Sequence, residues 1–242
     1  MRTRVTFDGV DLGELCHVSD LQAPLLPRTI CEEDVAGRDG SLYTGVRLQP
    51  RDINVRMTVK GSTLADRREA ARNVAAVLAV DSPRPLSISA DDGLWWMAIP
   101  TTDGDVELMA NHSSFDVTFR AVDPVAYGDQ RTITVPSGGS VTFLVDGTYP
   151  ARPTVRASAA ANGAGGFWKL QLEDGSYLIA TVPDGLGTAP VVADCLARTL
   201  YVNGTLTLLQ PDADWLELAP GAHTLTMAGT GAATVTFDER WL

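Results

Sequence analysis

The sequence predicts a mainly β protein of two domains, an N-terminal sheet or sandwich with one packed helix and a C-terminal β-sandwich. Three observations carry this. Apolar and polar residues alternate with period two from end to end, the pattern of strands with one buried face. A single segment, from about Leu64 to Val80, combines a helical apolar stripe with start and stop signals. Residue usage changes after Asp123-Pro124, beyond which strands shorten and Gly, Pro and Asn-Gly punctuate them. A chain of 242 residues has room for two cores, since domains usually run to ~100–200 residues. The boundary is expected between Asp123 and Tyr149, dividing the chain into residues 1–130 and 131–242.

Taken in order, Ile53, Val55, Met57 and Val59 share one face of a strand, with Asp52, Asn54, Arg56, Thr58 and Lys60 on the other. Thr63 can cap the helix that follows, because Asp66 lies three residues on in a capping-box position, and Asp81-Ser82-Pro83 ends it. Its expected core stripe is Leu64, Ala71, Val74, Ala75 and Leu78, opposite Asp66, Glu69 and Asn73. Phe115, Val117, Phe119 and Ala121 alternate with Asp116, Thr118 and Arg120 in a second long strand. Pro136-Ser137-Gly138-Gly139 is a linker or a hairpin turn. Shorter alternating runs follow, as in Val141/Phe143/Val145, Leu206/Leu208, Leu225/Met227 and Val235/Phe237, and together they suit a sandwich of roughly ten strands. Asp174-Gly175 and Asn203-Gly204 are placed for two-residue hairpin turns that need positive φ.

The pattern argues against most chemistry. A formal net charge of -11 opposes binding that depends on neutralising phosphates, and neither half is basic. No apolar run reaches the ~18 residues that span a bilayer. The opening Met1-Arg2-Thr3-Arg4 meets Asp8 and Asp11 before any signal-like stretch, which predicts a protein made and folded in a cytoplasm. Cys16, Cys31 and Cys195 are odd in number and scattered, so they compose neither a disulfide framework nor a CxxC pair. His17, His112 and His223 lack metal-ligand spacing. The glycine-rich Asn162-Gly163-Ala164-Gly165-Gly166 lacks the lysine and helix of a phosphate cradle, and no Ser sits in a GxSxG elbow. Asp103-Gly104-Asp105-Val106-Glu107 and Asp212-Ala213-Asp214 are the densest acidic groups and suit solvated turns better than a catalytic pair or a calcium loop. These patterns predict a non-enzymatic protein with no catalytic residues, metal or cofactor. One binding thread remains. Trp168, Tyr177 and Trp215, like Tyr201, lie on or beside strands of the second half. Such rings ordinarily fill the space between two sheets, but an exposed one can stack on a sugar.

The segment Val35-Ala36-Gly37-Arg38-Asp39-Gly40-Ser41-Leu42-Tyr43-Thr44-Gly45, followed by Leu48-Gln49-Pro50-Arg51-Asp52-Ile53, resembles the distal tail proteins of long-tailed, siphovirus-type bacteriophages. In that family a Gly-Arg-Asp-Gly loop precedes an aromatic residue and then an Arg-bearing, alternating strand. The capped helix after Lys60-Gly61, then Pro85-Leu86-Ser87-Ile88, and the phrase from Phe119 through Asp123-Pro124 to Tyr127-Gly128 follow in the family's order. The second half is similar to the family's galectin-like, or carbohydrate-binding-module-like, sandwich. Its cues are Tyr149-Pro150-Ala151-Arg152-Pro153, Val192-Ala193-Asp194-Cys195, Tyr201-Val202-Asn203-Gly204 and Leu218-Ala219-Pro220-Gly221 before Thr224-Leu225-Thr226. One departure is Ala222-His223 after the Pro-Gly turn, where the family often has Asn.

The resemblance implies a structural virion-tail component of a phage or prophage. It would form a six-subunit ring that links the tail tube to the tail-tip or host-adhesion proteins, with DNA passing through the opening and no membrane insertion. The loop Gly37, Arg38, Asp39, Gly40 to Tyr43 and the strand beginning at Arg51 are the expected subunit contacts, with Arg38 and Asp39 as reciprocal ion pairs. An intramolecular turn stabilised by Gly and Asp is the plainer account of that loop. The alternative function is a carbohydrate-binding adhesin, recognising a cell-surface glycan through Trp168, Tyr177 or Trp215.

Overall fold

A computed structural model describes residues 4–88, 93–101, 107–108, 112–160, 166–182, 186–229 and 231–242. Asn162–Gly165 and Asp103–Val106, both singled out above, lie outside the described residues. The chain divides into two compact units, Met1–Ala126 with Leu242, and Tyr127–Trp241.

The first unit contains β1 (Val5–Phe7), β2 (Val10–Asp11), α1 (Leu12–Leu15), β3 (His17–Gln22), β4 (Arg28–Asp34), β5 (Ser41–Leu48), β6 (Arg51–Lys60), α2 (Leu64–Leu78), β7 (Arg84–Ile88), β8 (Trp95–Thr101), β9 (Glu107–Leu108) and β10 (His112–Ala121). Its main sheet is antiparallel in the order β3-β6-β10-β8-β7-β1-β2, with β9 beside β10. The alternation read from sequence is realised in β6, whose Ile53, Val55, Met57 and Val59 are buried while Asn54, Arg56 and Lys60 face water. On β10, Val117, Phe119 and Ala121 are buried, but Phe115 is only half-buried and Ser113 and Ser114 are buried instead. Phe7 of β1 meets Phe119 ring to ring at 5.2 Å in this core.

Helix α2 starts where its capping box places it. Asp66 N–H donates to Thr63 Oγ1 at 3.1 Å and Thr63 N–H donates to Asp66 Oδ2 at 2.9 Å, so two otherwise orphaned donors are satisfied. The helix ends two residues before the expected Val80, and its buried face differs from the expected stripe. Val74 and Arg67 are buried, whereas Leu64 and Ala75 are exposed. The Arg67 stem packs inward while its Nη1 donates to the Gly61 carbonyl at 3.2 Å. A Cβ on Gly61 would sit 2.8 Å from Asp66 Cβ and 2.9 Å from Arg67 N, so glycine is what lets the helix start lie this close. Thr63→Ala is expected to cost about 1 kcal/mol, read as a lowered urea midpoint with an unchanged slope.

The second unit contains β11 (Ala126–Val135), β12 (Ser140–Val145), β13 (Thr154–Ala160), β14 (Phe167–Leu172), β15 (Tyr177–Thr181), β16 (Thr188–Asp194), β17 (Thr199–Val202), β18 (Thr205–Thr207), β19 (Gly221–Gly229) and β20 (Ala233–Trp241). Two sheets, β18-β17-β16-β13-β20-β11 and β12-β19-β14-β15, enclose one core that includes Trp168, Leu170, Leu178, Val191, Leu200, Leu216, Leu225 and Phe237. This is the expected sandwich. Pro136–Gly139 forms a tight turn, with Gly139 N–H on the Pro136 carbonyl at 3.1 Å, and it carries the chain from one sheet to the other. Asn203 at φ +51° and Gly204 at φ +75° make the expected two-residue hairpin turn between β17 and β18. Asp174-Gly175 does not. Four residues separate Leu172 from Tyr177, closed by Gly175 N–H on the Leu172 carbonyl, and Asp174 accepts from Ser176 rather than adopting positive φ.

Candidate assembly surfaces

Strands β4 and β5 form a two-stranded sheet of their own, and the Gly-Arg-Asp-Gly loop is its tip. Gly37 and Gly40, at φ +80° and +79°, turn the chain there, and Arg38 N–H donates to the Val35 carbonyl at 3.2 Å. Arg38 and Asp39 are exposed and form no ion pair among the described residues. The pairing slips between Cys31 and Glu32, where Cys31 faces Gly45, Glu32 faces Tyr43, and Thr44 is left over as a bulge. Cross-strand partners share a face, as do residues two apart on an unbulged strand. The bulge therefore brings Tyr43 onto the same face as Ile30 and its partner Val46. Those three side chains are 63%, 60% and 47% exposed, so they form an apolar patch, beside Glu32 and Asp34 on the same face, that is open in the single chain.

Arg51, expected at a subunit contact, is largely covered within its own chain. It begins β6, is 7% exposed, and its guanidinium lies 5.7 Å above the Trp96 ring, where the stacked geometry keeps the charge inside the first unit.

The three aromatics proposed for sugar stacking separate clearly. Trp168 is fully buried between the sheets and cannot meet a ligand, because its place on β14 points it into the core beside Leu170. Tyr177 is half-buried. One face of its ring is covered by Lys169 Nζ at 3.8 Å, and its hydroxyl donates to Asp212 Oδ2 at 2.6 Å. Trp215 is half-buried against the sandwich core. Asp212 thus has a structural task as Tyr177's acceptor, and its carboxyl is held below the usual range chiefly by that hydrogen bond.

A clasp that sequence reading passed over joins the β14–β15 loop to β19. His223 Nδ1 lies 2.7 Å from Glu173 Oε1, His223 Nε2 lies 2.6 Å from the Ala219 carbonyl, and Thr224 N–H donates to Glu173 Oε2 at 2.7 Å. Burial pushes the Glu173 carboxyl up, but the bonds from Thr224 N–H, from its own backbone N–H and from His223 together outweigh it and leave the group lowered from 4.5. A carboxyl depressed by folding stabilises the protein above its ordinary value, and that contribution is lost as pH falls through the lower folded value. Wild-type urea midpoints should therefore fall more between pH 7 and pH 3 than those of Glu173→Gln. Equal falls would show the clasp to be inert.

Burial pushes the Cys16 and Cys195 thiols up to about 11 and about 12, while Cys31 is exposed on the arm. Thiol titration of the folded protein at pH 8 should count one reactive cysteine, rising to three on unfolding. Among the described residues, no group of three or more His, Cys, Asp or Glu is placed to hold a metal ion.

The first unit, antiparallel in its described pairings and carrying an arm exposed in the single chain, is joined in one chain to a β-sandwich with Trp168 at its core. The chain belongs to the siphovirus-type phage tail proteins: residues 13–121 match the phage tail protein RIFT-related domain, and residues 146–241 match the C-terminal domain of the siphovirus-type tail component. Its fold is similar to that of SPP1 Dit (gp 19.1), described as a paradigm of the hub adsorption apparatus in phages infecting Gram-positive bacteria. That likeness has 23% identity over 99% of both chains and a TM-score of 0.80. A chain of the phage P2 baseplate, in its activated conformation with Ca, aligns at 8% identity over 98% of both chains with a TM-score of 0.49. A search of curated proteins returned no match. The protein is accordingly a component of the siphovirus-type phage tail, and its place is the virion tail.

Proposed function

We propose that the chain forms a closed six-subunit ring that joins the tail tube to the tail-tip proteins, passes DNA through its opening and has no catalytic activity. The observation that carries the ring is the arm. A lone two-stranded hairpin is marginally stable in water, and this one leaves Ile30, Tyr43 and Val46 uncovered in the single chain. Such a face is accounted for when a neighbouring subunit covers it. Arg38 and Asp39 at its tip, without partners among the described residues, are then free to pair across the contact. Surface pairs contribute only ~0–1 kcal/mol each, so they would set register more than affinity.

Net charge supports the DNA passage. Six copies at -11 each carry -66, and an acidic opening repels the DNA backbone so that it slides rather than sticks. Light scattering over a concentration series, with negative-stain images of the same sample, should give closed particles near 155 kDa, six times the 25.8 kDa chain. Strict monomers throughout would overturn the ring. Duplex DNA binding with steep salt dependence would overturn the sliding role.

A further inference from the structure

Helix α2 presents a second open surface in the first unit. Of its 15 residues only Arg67 and Val74 are buried, so its own chain covers one narrow side of it. Residues four apart form ridges along a helix, and Leu64, Arg68 and Arg72 make one such ridge. Leu64 is 41% exposed, and both arginines are exposed and form no ion pair among the described residues. The acidic residues of the helix are placed otherwise. Asp66 is held in the cap, where it accepts from Ser62 Oγ at 2.6 Å and from Thr63 N–H at 2.9 Å. Glu69 rises on the flank away from Leu64 and Arg68, because residues one and five positions on fall on a different side of the turn.

The arm carries a row that keeps step with this ridge. On β4, Ile30, Glu32 and Asp34 share one face, the face that also holds Tyr43 and Val46 of β5. All three are exposed, and the two carboxylates form no ion pair among the described residues. Residues two apart on a strand are separated by about 6.6 Å, and residues four apart on a helix by about 6 Å. The order apolar, acidic, acidic along β4 therefore matches the order apolar, basic, basic along α2, position by position. The match fixes a direction as well: the reverse course would set Ile30 against Arg72 and Asp34 against Leu64. Arg28, on the same face at the arm's root, falls beyond the start of the helix.

We propose that the arm of one copy lies along α2 of the next, with Ile30 against Leu64, Glu32 against Arg68 and Asp34 against Arg72. This inference rests on the ring reading. Val46 and Tyr43, across from Ile30 and Glu32, widen the apolar contact on the adjacent strand. Arm and helix are two different surfaces of one chain, and a contact between unlike surfaces can repeat around a closed ring, whereas a surface that met its own copy would stop at a dimer. Exposed ion pairs add little affinity. Their complementarity selects the partner surface and its direction.

Charge reversal in the full chain tests the register. Arg68→Glu with Arg72→Glu should weaken assembly about tenfold or more, and Glu32→Arg with Asp34→Arg should do the same, because each sets like charges against each other. All four reversals in one chain should restore rings, and so should an equal mixture of the two double variants, whose copies would alternate. Cys31 is the exposed native thiol, so a Cys31→Ser background leaves a clean probe. There, Ile30→Cys with Leu64→Cys should oxidise to a ladder of covalent multimers up to the ring, while either cysteine alone should give dimers at most. Circular dichroism and melting of each variant exclude misfolding as the cause. Rings that tolerate both reversals and give no ladder would overturn the docking while leaving the ring intact. Losses that neither the combined chain nor the mixture rescues would overturn it too. Wild-type monomers at every concentration would overturn ring and docking together.

Discussion

Replacing Ile30 and Val46 together with aspartate is expected to abolish assembly while leaving both units folded. The two side chains face each other across β4 and β5, are 60% and 47% exposed and lie outside the buried core, so neither unit's core is changed by replacing them. In a ring, the same positions would place two carboxylates in an apolar contact, beside Glu32 and Asp34 on the same face. Burying an unpaired charge costs several kcal/mol. Even ~3 kcal/mol per contact is about a hundredfold in affinity, and a six-membered ring repeats the loss at every interface. Light scattering should show monomers at concentrations where the wild type closes, with an unchanged melting temperature. Rings of the double variant would place the subunit contact away from the arm. A lower melting temperature without the double variant's loss of assembly would show that the face is buried within its own chain.

Trp168→Ala should have the largest effect on stability. Its ring is fully buried in the sandwich core between the two sheets. Removing so large a side chain leaves a cavity, and such truncations cost about 3–5 kcal/mol, a large share of the ~5–15 kcal/mol that holds a domain together. Trp168→Phe separates packing from polarity. The indole Nε1 has no hydrogen-bond partner among the described atoms, and a buried donor without one costs about 1–3 kcal/mol. Phenylalanine keeps most of the aromatic volume and removes that donor, so its loss should be less than half that of alanine in urea titrations. A loss equal to alanine's would mean that the indole N–H is satisfied in solution.

What could be read from residues alone followed from local rules. Period-two alternation in Arg51–Lys60 identified β6 and the face it buries. Thr63 and Asp66 marked the helix start, since a capping box is a contact between residues three apart. Asn203-Gly204 specified its hairpin because only a few residues accept positive φ at both positions. The same local logic failed at Asp174-Gly175, where a four-residue loop satisfies the aspartate through Ser176. It also failed on the buried side of α2. There Gly61 and the stem of Arg67 decide the packing, and a stripe counted in apolar residues cannot see a charged side chain lying flat.

By itself, then, the sequence determined the mostly β class, the long capped helix α2 though not the short α1, the sandwich of the second half and the tail-protein resemblance, because each rests on contacts between near neighbours or on motif order. Tertiary structure alone decided which exposed-looking residues are exposed. It put Arg51 under cover against Trp96 and Trp168 in the core, and it capped one face of Tyr177 with Lys169. It also paired β4 with β5 through a bulge that gathers Ile30, Tyr43 and Val46 on one open face. The physical reason is the same in each case: alternation shows that one face of a strand is apolar, but whether anything covers that face depends on residues far away along the chain.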